Sequence, residues 1–350
     1  MNRGHLVTVS VVQFFAGVFI MLRHYSYFIK TEFPIFASAL SHVTFSDFFF
    51  CCSGFLLHYV NARKSSVEIL PMLRNRFTKL YPLHLFTTLF YVTILVLSAY
   101  VGSLGATRSS WECVLPTLTL THAFGTVDRQ CLNYPSWFLS ALFAMYILYQ
   151  PLRLLIARVG IAWIVAGVLS IVVAYEIAYR WADLPQWTTL TYNYGVLRGI
   201  PTFVAGVVIA EALPLIAPRV SNFRPAYAVF ILAVAGMTAG IEPLLSQVIL
   251  PVALVALLAG AEAHGAESFL RGPKLARVGA WSFPLYLLHV PVAAVLMNLI
   301  FLRLLHIDGP ALVAATITTA LAAIAAAFVT HTAMEVWVPK WRKTLRPSLP

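Results

Sequence analysis

Ten stretches of this chain, 6–29, 43–61, 81–101, 136–157, 160–180, 194–213, 225–241, 244–262, 279–302 and 310–333, are apolar over about the length that a helix needs to cross a bilayer. In hydrocarbon every backbone N–H and C=O must be satisfied within the protein, so such segments fold as helices packed on one another. With 60% hydrophobic residues, 11% charged residues and a mean hydropathy of +0.82, a soluble globular class is excluded. The fold class expected is all-α, a polytopic membrane bundle of about ten transmembrane helices. The two shortest runs, 225–241 and 244–262, are parted only by Gly240, Ile241, Glu242 and Pro243, which makes that boundary the least defined.

No interval holds a core-bearing soluble domain, and the longest polar one, 102–135, reads as a large extracytoplasmic loop within a single integral-membrane unit, 1–350. Arg3 precedes the first apolar run, but that run is too long for a secretory signal and no small-residue cleavage site follows, so it is expected to be retained.

Lysine and arginine set the orientation. If the N-terminus is cytoplasmic, 17 of them fall on the inner side, among them Arg63, Lys64, Arg74, Arg76, Lys79 and Lys340. The outer side holds five, Lys30, Arg108, Arg129, Arg180 and Arg303, while Arg23 and Arg198 lie within spans. Both termini are therefore expected in the cytoplasm, and the net charge of +11 reflects topology in the lipid bilayer of the cytoplasmic membrane, with no nucleic acid as a partner.

Polar groups within spans point to function, because an ionisable side chain there costs about 2.5–3.5 kcal/mol on insertion scales and faces the bundle interior. The first span, LVTVSVVQFFAGVFIMLRHYSYFIK, carries Gln13, Arg23 and His24. Gln13 and His24 are eleven residues apart, which puts them within about 20° on one helix face and about 16 Å apart along the axis. The second span opens with Asp47 at the end where His24 also lies, and its Ser53-Gly54 suits close helix approach. Arg74, Arg76 and Lys79 stack within two turns at the entry of the third span, a density that can hold a phosphate-bearing ligand or headgroup.

Trp137 opens the fourth span as an expected interface aromatic, Arg198 the sixth, and Tyr286 and His289 share a face of the ninth. His331 and Glu335 are spaced to pair near the inner surface. Cys51 and Cys52 read as packing residues, whereas Cys113 and Cys131 share the outer loop and can pair if that compartment is oxidising. No metal, phosphate-loop or nucleophile-elbow motif is present.

In order along the chain, FFAGVFIMLRH, DFFFCCSGFLL, RNRFTKLYP, Trp137-Phe138-Leu139-Ser140, the run from Arg198 to Gly206, the run from Ser282 to His289, and Glu335 resemble the motifs of the membrane acyltransferase-3 family. That resemblance implies transfer of an acyl group, commonly acetyl, from acyl-CoA as donor substrate to a hydroxyl of a polysaccharide, glycolipid or other saccharide or lipid acceptor, with no bound cofactor. It implies His24 as general base or transient acyl carrier, and Asp47 as the group that orients it. It implies Arg198 at the acceptor or the developing oxyanion, Tyr286 and His289 at the substrate, and Gln13 with Arg74, Arg76 and Lys79 on coenzyme A. The chain departs from the family pattern at Gln13, where an arginine is usual, at Lys79, which keeps charge without a bidentate fork, and at Leu142 and Phe143, where relatives carry glutamates. The rival readings are a transporter or flippase of a lipid-linked substrate, which the lack of an inverted repeat disfavours, and a catalytically impaired family member.

Overall fold

The computed structural model describes residues 6–62, 68–101 and 110–344, all helix, turn or coil without a strand. Arg3, Arg63, Lys64, Arg108 and Arg346 of the charge count lie outside the described residues, as do 102–109 of the large loop. The helices, in order, are α1 (Val7–Tyr25), α2 (Pro34–Ser41), α3 (Ser46–Asn61), α4 (Ile69–Val101), α5 (Val114–Leu118), α6 (Trp137–Val159), α7 (Ile161–Trp181), α8 (Gly195–Ile216), α9 (Arg224–Thr238), α10 (Leu250–His264), α11 (Pro273–Gly279), α12 (Ser282–Ala293) and α13 (Ala311–Thr344). Wide π-helical turns, Leu244–Ile249 and Ala294–Leu304, lead into α10 and continue α12.

Nine helical stretches among the described residues are long and apolar enough to span a membrane. The tenth expected run is α9, whose 15 residues measure about 22 Å, short of the roughly 30 Å hydrocarbon core. Pro243 and Gln247, just beyond α9, line the same cavity as His24 at the end of α1. So α9 runs from the Arg224 end of the bundle toward the His24 end, a shorter apolar helix beside the nine. The His24 end is termed outer after the orientation expected from the charge asymmetry. α7 is the most peripheral helix, with only 6% of its apolar window buried, and it turns Trp163, Leu169, Val173 and Ile177 outward, where lipid satisfies them.

Polar groups fix the frame. Glu262 of α10 accepts from the Thr8 backbone N–H at 3.1 Å, so a carboxylate caps the positive end of α1. α3 crosses α8 at backbone contact: a methyl added at Gly54 would fall 2.0 Å from the Phe203 carbonyl oxygen, and one at Gly206 2.0 Å from that of Cys51. Only glycine permits this approach on both helices. Cys51 and Cys52 are buried there with free thiols, and His331 Nε2 meets Glu335 at 3.3 Å. The third span starts earlier than expected, at Ile69, so Arg74, Arg76 and Lys79 stand on α4 itself.

Cys113 and Cys131 form a disulfide across 5.5 Å between Cα atoms, closing the described part of the outer loop. That loop is pinned to the bundle by hydrogen bonds. Ser140 of α6 donates to Leu120 O at 2.5 Å and accepts from the Ala123 N–H at 3.2 Å, and Asn133 Nδ2 donates to Leu287 O of α12 at 2.9 Å.

Candidate active site

At the outer end of the bundle the ends of α1, α2, α3, α6 and α8, the π-helical turn before α10 and Tyr286 of α12, with the loops between them, enclose a cavity of about 350 Å³. His24, Arg23, Tyr134, Trp137, Arg198 and Tyr286 stand on its wall. α1 delivers His24 in its last turn. The imidazole Nδ1 lies 3.0 Å from the Tyr134 hydroxyl, and its ring stacks on His289 with centroids 5.2 Å apart. Tyr134 itself stands in the short turn Tyr134–Ser136 that leads into α6.

His289 is fully buried behind His24 and off the cavity wall; its Nδ1 faces the Leu285 carbonyl at 3.1 Å, and its own carbonyl accepts from the Tyr25 hydroxyl at 2.6 Å. The expected substrate contact at His289 is thus corrected to a ring that backs His24. Tyr286 does reach the cavity, and its hydroxyl donates to the Pro135 carbonyl, tying α12 to the start of α6.

Asp47 corrects a second expectation. It is fully buried, and its Oδ2 accepts from Arg198 Nη2 at 2.7 Å and Nε at 3.1 Å, so the carboxylate answers Arg198 and leaves His24 to Tyr134. The guanidinium also lies over the Trp137 ring, 5.6 Å from its centroid. Trp137, expected as an interface aromatic, is therefore buried under a cation. This pair, drawn from α3 and α8, is held by the glycine crossing below it. A buried pair of this kind loses about 3–5 kcal/mol when one partner is removed, because the other charge stays buried.

Gln13 is not on the cavity wall; its backbone carbonyl accepts from Ser282 Oγ at 3.1 Å. Arg74, Arg76 and Lys79 are likewise off the cavity wall; the Arg76 guanidinium lies 5.3 Å from the centre of the Tyr146 ring, about midway along α6, and Tyr81, two residues beyond Lys79, donates to the Leu118 carbonyl of the outer loop at 2.9 Å. The structure thus gathers His24, Arg198 and Tyr286 on the cavity, sets His289 and Asp47 directly behind His24 and Arg198, and separates Gln13, Arg74, Arg76 and Lys79.

Three features escaped the sequence. Tyr134 is adjacent to a recognisable Pro-Ser-Trp start, but nothing local signals that it meets His24, 110 residues away. His58, at the inner end of α3, is 1% exposed and is held between the Tyr149 hydroxyl at 3.1 Å and Glu211 at 2.6 Å. In the outer loop, burial first and the neighbouring His84 second push the His122 pKa down to about 4, while its Nε2 meets Ser136 Oγ at 3.1 Å. His122 is thus a neutral strut beneath the Tyr134 turn.

The chain can be set beside known proteins on this geometry. It is 29% identical over 286 residues to Acyltransferase MdmB of Streptomyces mycarofaciens, an alignment that covers 73% of this chain and 70% of that one. No solved structure matches it. The family model described as Acyltransferase domain matches residues 7–331, taking in every helix that lines the cavity. The chain, an integral membrane protein, belongs to this acyltransferase-3 family.

Proposed function

We propose that this protein moves an acyl group, acetyl in the simplest case, from cytoplasmic acyl-CoA to a hydroxyl of a saccharide or lipid acceptor, with His24 as general base. The observation that carries the reading is the His24 imidazole on the wall of a polar cavity at membrane depth, with Nδ1 held 3.0 Å from the Tyr134 hydroxyl. When Nδ1–H is donated to Tyr134 Oη, the basic lone pair is on Nε2. That nitrogen takes the proton of the acceptor hydroxyl as its oxygen attacks the thioester carbonyl. The tetrahedral oxyanion collapses, the C–S bond breaks, and the thiolate takes the proton back from the imidazolium to leave as free CoA. Arg198, buried on the cavity wall and fixed by Asp47, supplies positive charge near the oxyanion. Arg74, Arg76 and Lys79, on α4, hold the phosphates of the donor.

The test is transfer of labelled acetyl from acetyl-CoA in membranes that carry the wild type or His24→Ala, with host glycans and lipids as acceptors. Labelled product with the wild type and a loss of about 10²–10⁴-fold in the variant is expected for a general base. Equal labelling by both proteins removes His24 from the chemistry. No labelling with either, from folded protein, removes acyl transfer and favours a transport role or an impaired enzyme.

A further inference from the structure

Arg23 precedes His24 and stands on the same cavity wall. Among the described residues its guanidinium meets no carboxylate; the charged and polar groups that act on it are Arg198, a like charge, and Tyr134. The other cation of the cavity, Arg198, is answered by Asp47. No aspartate or glutamate lines the cavity among the described residues. Among the described residues, the cavity therefore carries one positive charge that no carboxylate answers. An arginine held this way in a membrane helix is costly unless a ligand or water completes it.

The rest of the wall is rich in neutral hydrogen-bonding groups. Thr188, Thr189, Thr191 and Gln186 reach it from the loop before α8, and Gln247 from the turn after α9. Hydroxyls and amides of this kind bind ring and chain hydroxyls, while a guanidinium binds carboxylate or phosphate through charge-assisted pairs. All of them come from the same end of the bundle as His24.

On these grounds we propose that the cavity takes as acceptor a polyhydroxylated molecule bearing an anionic group, a carboxylate or a phosphate, and that Arg23 receives that group while His24 faces the hydroxyl to be acylated. Arg23 is then a specificity-determining residue. The proposal rests on the acyl-transfer reading of the same cavity.

The experiment uses the full-length protein in lipid nanodiscs with three acceptors, methyl glucoside, methyl glucuronide and glucose 6-phosphate. Transfer from labelled acetyl-CoA and, separately, thermal stabilisation by each acceptor without donor are measured for wild type, Arg23→Lys and Arg23→Gln. The wild type is expected to favour a charged acceptor over the neutral one by about 10–100-fold in kcat/KM, the range of a charge-assisted hydrogen bond. Arg23→Lys keeps part of that ratio, and Arg23→Gln brings it toward one. A preference for glucuronide or for the phosphate identifies which anion the site is built for. No charge preference in the wild type overturns the proposal, as does an equal fall for charged and neutral acceptors in Arg23→Gln, which would place Arg23 at the reacting carbonyl. If the wild type transfers to none of the three, the stabilisation decides. A charge-dependent shift lost in Arg23→Gln keeps the anion site and sinks acyl transfer, while its absence sinks both.

Discussion

Replacing Gly54 or Gly206 by alanine tests whether the α3–α8 crossing holds the site together. A methyl at either position would sit 2.0 Å from a carbonyl oxygen of the facing helix, where ordinary contact begins at 3.4 Å, so the backbones must part by about 1.4 Å. Both obstacles are backbone, and no side chain can swing away. Gly54 is seven residues from Asp47 and Gly206 eight from Arg198, so the crossing lies roughly 11 Å along the helices from the ion pair. If the displacement reaches that level, the 2.7 Å contact of Arg198 with Asp47 opens to about 4 Å, beyond hydrogen bonding. Overpacking alone costs about 1–3 kcal/mol, and opening the buried pair adds several more. An apparent Tm lower by on the order of 5–10 °C is expected, together with loss of acyl transfer, measured on detergent-solubilised protein by thermal challenge and size-exclusion fluorescence. Gly167→Ala, with no atom within 4 Å of the added methyl, is the control and should stay within about 0.5 kcal/mol of wild type. Wild-type thermal stability in Gly54→Ala or Gly206→Ala would refute the reasoning, and unimpaired transfer in a destabilised variant would uncouple the crossing from the site.

Tyr134→Phe deletes the hydroxyl 3.0 Å from His24 Nδ1 and should lower kcat by about 10–100-fold, the cost of one orienting hydrogen bond to a group that becomes charged, with a smaller change in KM; an unaltered kcat would show that Tyr134 does not position the base. Cys113→Ser opens an 18-residue loop and should cost about 3 kcal/mol, seen as a lower Tm that reductant reproduces in the wild type. A wild-type Tm that ignores reductant would refute it. His122, neutral in the fold with a pKa of about 4, has an ordinary value near 6.5 when unfolded. Its folded value is depressed, so the unfolded chain binds more protons between these limits, and stability is full above pH 6.5 and falls on acidification. Roughly 2 kcal/mol is lost between pH 7 and 5; His122→Gln should flatten that slope in a pH series of Tm, and an unchanged slope would assign it elsewhere.

The membrane-length helices were legible because hydrocarbon leaves a chain few choices: runs of membrane length become helices whatever their neighbours. His24 was legible for the same reason, since a polar group at that depth requires an interior. Partner choice was not. Asp47 could be matched by charge with His24 or with Arg198, 151 residues away, and only the approach of α3 to α8 through Gly54 and Gly206 decides for the arginine. His58 and Glu211, 153 residues apart, meet by the same crossing at the inner end, where a histidine near a span boundary looks unremarkable in sequence. Tyr134 depends on a loop pinned at Cys113, Ser140 and Asn133, and such a fold has no hydrophobic period to announce it. The interface role expected of Trp137 failed because Arg198 covers it.

α6 connects the two ends of the proposed reaction. Trp137 at its start lies beneath Arg198 and the outer cavity, and Tyr146, about midway along it, lies beside Arg76. Nine residues separate them, which is about 14 Å along the axis and half a turn around it, so a donor held at Arg76 cannot reach His24 along one face. It must pass between α4, α6 and α12, and that seam is filled by rings: Phe77 stacks on Tyr81 at 4.2 Å, Phe143 meets Phe77 at 6.1 Å, and Phe138 meets Tyr286 at 5.6 Å. Tyr286 is the last of these and is also on the cavity wall, tied to Pro135. On the proposed mechanism, donor entry therefore parts Phe138 from Tyr286, and the hydroxyl that leaves Pro135 becomes available to the thioester. Joining the two helices with a disulfide, Phe138→Cys with Tyr286→Cys, should stop acetyl transfer when oxidised and restore part of it when mildly reduced. Turnover that continues in the oxidised, cross-linked protein would mean that the acyl group reaches His24 by another route.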